Sequence, residues 1–148
     1  MDGGERPSDR SSGPLDVPTL ELIARRAAEH PLVAGWTVHP DSLSPRRLEV
    51  RLDDGQYPED VSTVRLDVRW FEGGDYSFHY VETHERGSWQ RRWDRHPKPE
   101  EPRAHEHPPP EASSRVEPSS LDVDHEHPLD VLFAVLDSIS TRLRERYE

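Results

Sequence analysis

The sequence predicts an α+β fold, an antiparallel five-stranded β-meander covered on one face by an N-terminal and a C-terminal helix. Three observations carry this. Apolar residues recur at helical spacing in one segment near each end, five segments between them alternate apolar with polar residues, and the connections among those five are short and rich in Gly, Asp and Pro. At 148 residues the chain suits one domain with a modest core.

Residues 1–14, "MDGGERPSDRSSGP", hold no apolar residue after Met1 and are expected as a disordered tail, with a single domain over 15–148. In "DVPTLELIARRAAEHP" the residues Leu20, Ile23, Ala24 and Ala27 follow the i, i+3, i+4, i+7 pattern, with Pro18 in the first turn and Pro31 just past the end. The period then falls to two. "LVAGWTVH" reads as a short strand, and "RRLEVRLDD" turns Leu48, Val50 and Leu52 to one side. "VSTVRLDVRWF" does the same with Val64, Leu66, Val68 and Trp70. "YSFHYVET" sets Tyr76, Phe78 and Tyr80 against Ser77, His79 and Val81, and "GSWQRRWDRH" sets Trp89, Arg91 and Trp93 against Gln90, Arg92 and Asp94. Eight of the 15 prolines lie between Pro97 and Pro128, so about residues 96–127 are expected as a Pro/His-rich loop. From Pro128 onward, Leu129, Leu132, Phe133, Leu136, Ile139, Leu143 and Tyr147 mark an amphipathic helix. Asp130 near its start and Arg142, Arg144 and Arg146 near its end suit the helix dipole.

Acidic residues number 30 against 19 basic ones, for a formal charge of -11, and Lys98 is the single lysine. Abundant carboxylates with almost no lysine fit a halophilic protein in a cytosol at molar salt, where self-repulsion is screened within about 3 Å. The absence of cysteine excludes disulfides, thiolate metal ligands and a Cys nucleophile. No apolar run approaches a membrane span and no secretory h-region follows Met1, so a cytoplasmic location is expected. Gly-rich phosphate loops, nucleophile elbows and helix-turn-helix signatures are missing.

Three constellations could carry chemistry. If "YSFHY" and "QRRWDRH" pair around the "HERG" turn, His79 shares a sheet face with Arg92 or Asp94, joining an acid-base group to a fixed cation and a carboxylate. A slip of one residue would separate them. The two His-x-His pairs, His105/His107 and His125/His127, have the extended-chain spacing that can chelate one ion, and Asp94 or Glu106 could complete a zinc or manganese site. The alternative for both pairs is solvated loop histidines. Third, Tyr76, Tyr80, Arg91 and Trp93 belong to a mixture of aromatics and arginines that can stack bases and hold phosphates, unless the aromatics are core.

At these residues the chain resembles the TumE family of toxin-antitoxin system proteins, as a haloarchaeal-type member. The resemblance rests on "YSFHY" at 76–80, "RWDRHP" at 92–97 and "AHEH" at 104–107, in order between two helices over about residues 18–147. Its family-like positions are Tyr76, His79, Arg92, Asp94, His96, His105 and His107. The sequence departs from the family pattern where a Pro-His-His cluster is reduced to His96 and Pro97.

The resemblance implies a toxin component acting on RNA or translation and neutralised by a helix-turn-helix antitoxin. The mechanism expected is a metal-independent endoribonuclease without a cofactor. His79 or His96 would take the ribose 2'-hydroxyl proton, His105 or His107 would protonate the leaving oxygen, Arg92 would hold the phosphate, and Asp94 would orient an imidazole. Tyr76, Tyr80, Arg91 and Trp93 would contact the RNA. A non-catalytic module binding a protein or single-stranded nucleic acid, and a metal-dependent hydrolase, are the alternatives.

Overall fold

The structure is a computed structural model that describes residues 13–96 and 103–147. Most of the tail expected at 1–14, and the part of the expected loop from Pro97 to Pro102, lie outside the described residues. Helix α1 (Val17–Ala27) starts where Asp16 accepts a side-chain hydrogen bond from the Thr19 N–H at 3.1 Å, satisfying one of the orphan donors of the first turn. Seven strands follow: β1 (Val33–His39), β2 (Arg47–Leu52), β3 (Val61–Trp70), β4 (Tyr76–His84), β5 (Gly87–Arg95), β6 (Ala104–His107) and β7 (Glu117–Pro118). Helix α2 (Pro128–Tyr147) closes the chain.

All seven strands form one antiparallel sheet in sequence order, so every neighbour in space is also a neighbour in the chain. The five-strand expectation is therefore corrected to seven. The two extra strands lie in the segment expected as loop. β6 pairs with the end of β5, Asp94 opposite His105, and Pro118 sits in the terminal strand β7. An edge strand tolerates a proline, because the missing N–H costs no ladder bond on the outer side.

The positions with inward parity, Leu48, Val50, Leu66, Val68, Phe78, Tyr80 and Trp93, are all buried. They join Leu20, Ile23, Ala24 and Ala27 of α1 and Val131, Leu132, Val135, Leu136 and Ile139 of α2 in one core cluster. The cover over this core is not helical alone: Tyr57 and Leu121, from connecting segments, complete it. At the β3–β4 turn Gly74 has φ +93°, and a Cβ there would also meet Arg95 Nη1 at 3.4 Å. No helix among the described residues is long and apolar enough to cross a membrane.

Candidate functional site

The face of the sheet opposite the core is fixed by alternation. With Phe78, Tyr80 and Trp93 inward, His79, Arg92 and Asp94 project outward. Register then lines up Glu49, Asp67, His79, Arg92 and His107 in one row across β2 to β6. A second row beside it holds Arg69, Ser77, Asp94 and His105. His79 and Arg92 are direct cross-strand partners, which the sequence left open.

Arg92 is anchored at one end. Its Nε donates to Asp94 Oδ2 at 3.0 Å, and its side chain is one-third exposed, while the two terminal nitrogens have no hydrogen-bond or ion-pair partner among the described residues. A guanidinium held this way can offer a planar pair of donors to a phosphate or carboxylate. His79 Nε2 lies 2.8 Å from Gln90 Oε1, an acceptor, while the Gln90 amide nitrogen donates to Ser88 Oγ. Nε2 therefore carries the hydrogen and Nδ1 is the acceptor. Burial, with a smaller contribution from the Arg92 cation, pushes the His79 pKa below its ordinary value, against the hydrogen bond to Gln90.

Behind Arg92 three imidazoles converge on the same carboxylate oxygen. Asp94 Oδ2 lies 3.2 Å from His107 Nε2, 3.9 Å from His105 Nε2 and 3.9 Å from His96 Nε2. His96 is partly exposed, whereas the side chains of His105, His107 and Asp94 are 0%, 4% and 5% exposed. The burial of His105 and His107 differs from the sequence expectation of a solvated loop: strand pairing at β6 turns both under the outer surface. Neither is open to a substrate as a proton donor. His107 Nδ1 lies 2.6 Å from the Ser113 carbonyl. Ligand atoms of Asp94, His105 and His107 all lie within 4.8 Å of one another, the geometry expected of residues that could hold a metal ion.

The other expected substrate contacts are placed differently. Tyr76, Tyr80 and Trp93 face the core and are almost wholly buried, so none offers a ring to a base. Arg91 also faces inward, where it binds Glu106 Oε2 at 2.8 Å. Glu106 thus belongs to the opposite side of β6 from His105 and His107 and does not complete their site. The second His-x-His pair lies elsewhere: His125 Nδ1 meets the Tyr76 hydroxyl at 2.8 Å, and His127 is exposed beside Asp124.

A polar centre that the sequence reading missed lies at the far end of the core. Glu82 is wholly buried and takes two bonds from Arg142, at 2.7 and 2.9 Å, with further bonds to Tyr80, His84 and Tyr147. Arg142 stacks 3.4 Å from the Trp89 ring centroid. The signal was present, because Glu82 continues the inward series Tyr76, Phe78, Tyr80. A cleft of about 620 Å³ next to this network is lined by His84, Arg86, Trp89, Arg142 and Arg146. Yet Arg142 is committed to Glu82, and the groups suited to proton transfer and anion binding lie on the outer face.

A family model described as toxin TumE matches residues 20–143, from within α1 to within α2. The chain belongs to the toxin TumE family. It is therefore a toxin component, and the family suggests an antitoxin as partner. Neither the curated proteins nor the solved structures contain a significant match to this TumE chain.

Proposed function

We propose that this TumE toxin is an endoribonuclease that acts on cellular RNA in the cytoplasm, with His79 and Arg92 as its reacting pair. The observation that carries the reading is their cross-strand pairing. A half-buried imidazole with an acceptor nitrogen stands beside a guanidinium whose terminal donors have no partner among the described residues. His79 Nδ1 takes the proton of the ribose 2'-hydroxyl, the 2'-oxygen bonds to phosphorus, and the bond to the 5'-oxygen breaks. The departing oxygen takes a proton from water at the open side of Arg92, and the hydroxide left behind takes the proton from the His79 imidazolium, which restores the neutral base. Arg92 holds the charge that builds on the phosphoryl oxygens, a stabilisation strongest where donors are already fixed. The products are a 2',3'-cyclic phosphate and a 5'-hydroxyl.

In this reading the proton transfer needs no metal, and the buried His105 and His107 position Asp94, which in turn holds Arg92. The acidic, arginine-based composition supports a halophilic setting, and the toxin would be neutralised by a helix-turn-helix antitoxin.

Inducible expression in a salt-matched host tests the proposal. Wild type should arrest growth, while Arg92→Ala and His79→Ala should each weaken inhibition about 100-fold, the usual scale for one acid-base or oxyanion group. Undiminished arrest by both variants at equal protein level would sink the assignment.

A further inference from the structure

We propose that Asp94, His105 and His107 bind a divalent first-row transition-metal ion of the zinc class, which fixes β5 to β6 and holds Asp94 beneath Arg92. The residues come from two adjacent strands, Asp94 directly opposite His105, with His107 two residues on and so on the same face. Their burial is the first argument. A carboxylate and two imidazoles taken out of water need partners for their polar atoms, and Arg92 Nε meets only Oδ2 of the two Asp94 oxygens.

Their unsatisfied atoms are the second. Asp94 Oδ1 and His107 Nε2 are buried without a hydrogen-bond partner among the described residues, although His107 Nε2 lies 3.2 Å from Asp94 Oδ2. An ordinary imidazolium–carboxylate bond would be aligned at that distance, and this one is not. The third argument is the tautomer. The Ser113 carbonyl can only accept, so His107 Nδ1 bears hydrogen and the lone pair of the neutral ring is on Nε2, toward the cluster. A backbone carbonyl on the far nitrogen is how metal-binding histidines are commonly oriented.

Spacing is the fourth. Bonds of about 2.0 to 2.2 Å in tetrahedral array require ligand atoms about 3.3 Å apart. Here one ligand atom from each of the three residues lies within 4.8 Å of the others, so small side-chain shifts bring them to that spacing. Two imidazoles with one carboxylate suit zinc, manganese, iron or cobalt better than calcium or magnesium.

The proposal rests on metal occupancy and stands apart from the nuclease reading. The full chain, purified in chelator-free buffer from a host given zinc and manganese, would be assayed for bound metal by mass spectrometry. It would then be melted after EDTA treatment and again after adding each ion alone. Wild type should carry about one ion per chain, and its Tm should fall with EDTA and return with the ion. His107→Gln, which keeps a side chain of similar reach, should fold, carry no ion and melt at the same temperature with and without EDTA. Asp94→Asn gives a second variant with the same expectation. Less than about a tenth of an ion per chain in wild type, with no response of Tm to either ion, would overturn the site and assign the cluster to imidazolium–carboxylate pairs. RNA cleavage that persists in EDTA would leave the nuclease reading intact whatever the metal result, and full toxicity of the Arg92 variant would remove that reading while leaving the metal site standing.

Discussion

Arg92 is the residue at which charge, exposure and anchoring meet, and its shape matters as well as its charge. Arg92→Lys keeps the cation but loses both the Nε bond to Asp94 and the planar donor pair, so growth inhibition should fall about tenfold in a dose series. His79 gives a pH dependence. Its folded pKa is pushed below 6.5, so the base of the proposed mechanism would be neutral at pH 7 and would lose function as pH falls through that lowered value. The acid limb of the rate profile should therefore lie below pH 6.5. In the second polar centre, burial alone would raise the Glu82 pKa, but bonds from Arg142, Tyr80 and His84 more than offset it, and the net pKa is lowered. A depressed carboxylate stabilises the fold above its unfolded pKa and loses that contribution as pH falls through the folded one. Glu82→Gln should cost about 3 kcal/mol near neutral pH by breaking a buried pair. It should also flatten the loss of stability that wild type shows below about pH 4.5.

At the scale of elements, the two helices and the first five strands were legible because each has an apolar face of correct period. Leu20, Ile23, Ala24 and Ala27 mark α1, and Val64, Leu66, Val68 and Trp70 mark β3, and all are buried. β6 was not legible. "AHEH" presents polar side chains to both faces, His105 and His107 outward and Glu106 inward, so no apolar alternation signals a strand. It is held instead by pairing with β5, by the Arg91–Glu106 ion pair at 2.8 Å and by the Asp94 cluster, all contacts across the β5–β6 connection that no local pattern encodes. His79 and Arg92 were recognisable as candidates, but their register depended on the β4–β5 turn, where Gly87 takes φ +147°. The helix stripe makes a quantitative prediction. Leu132 is fully buried and Phe133 is 38% exposed, so Leu132→Ala should cost about 2 to 5 kcal/mol in urea denaturation. Phe133→Ala, which removes a half-exposed ring and its surface cation–π contact with Arg26, should cost about 1 kcal/mol or less.

The whole molecule is a meander in which every strand pairs with its sequence neighbours, so the polar outer face is assembled from consecutive hairpins while the helices and connecting segments close the other side. In the proposed reading the reacting pair lies on the face away from the core. Substitutions on the core side should act through folding, and those at His79 and Arg92 through the proposed chemistry. The most direct test is cleavage of a labelled RNA by purified wild type, Arg92→Ala and His79→Ala, each first shown to be folded by circular dichroism. The account predicts fragments ending in a 2',3'-cyclic phosphate from wild type alone. Absence of cleavage by folded wild type, or equal cleavage by either variant, would contradict it.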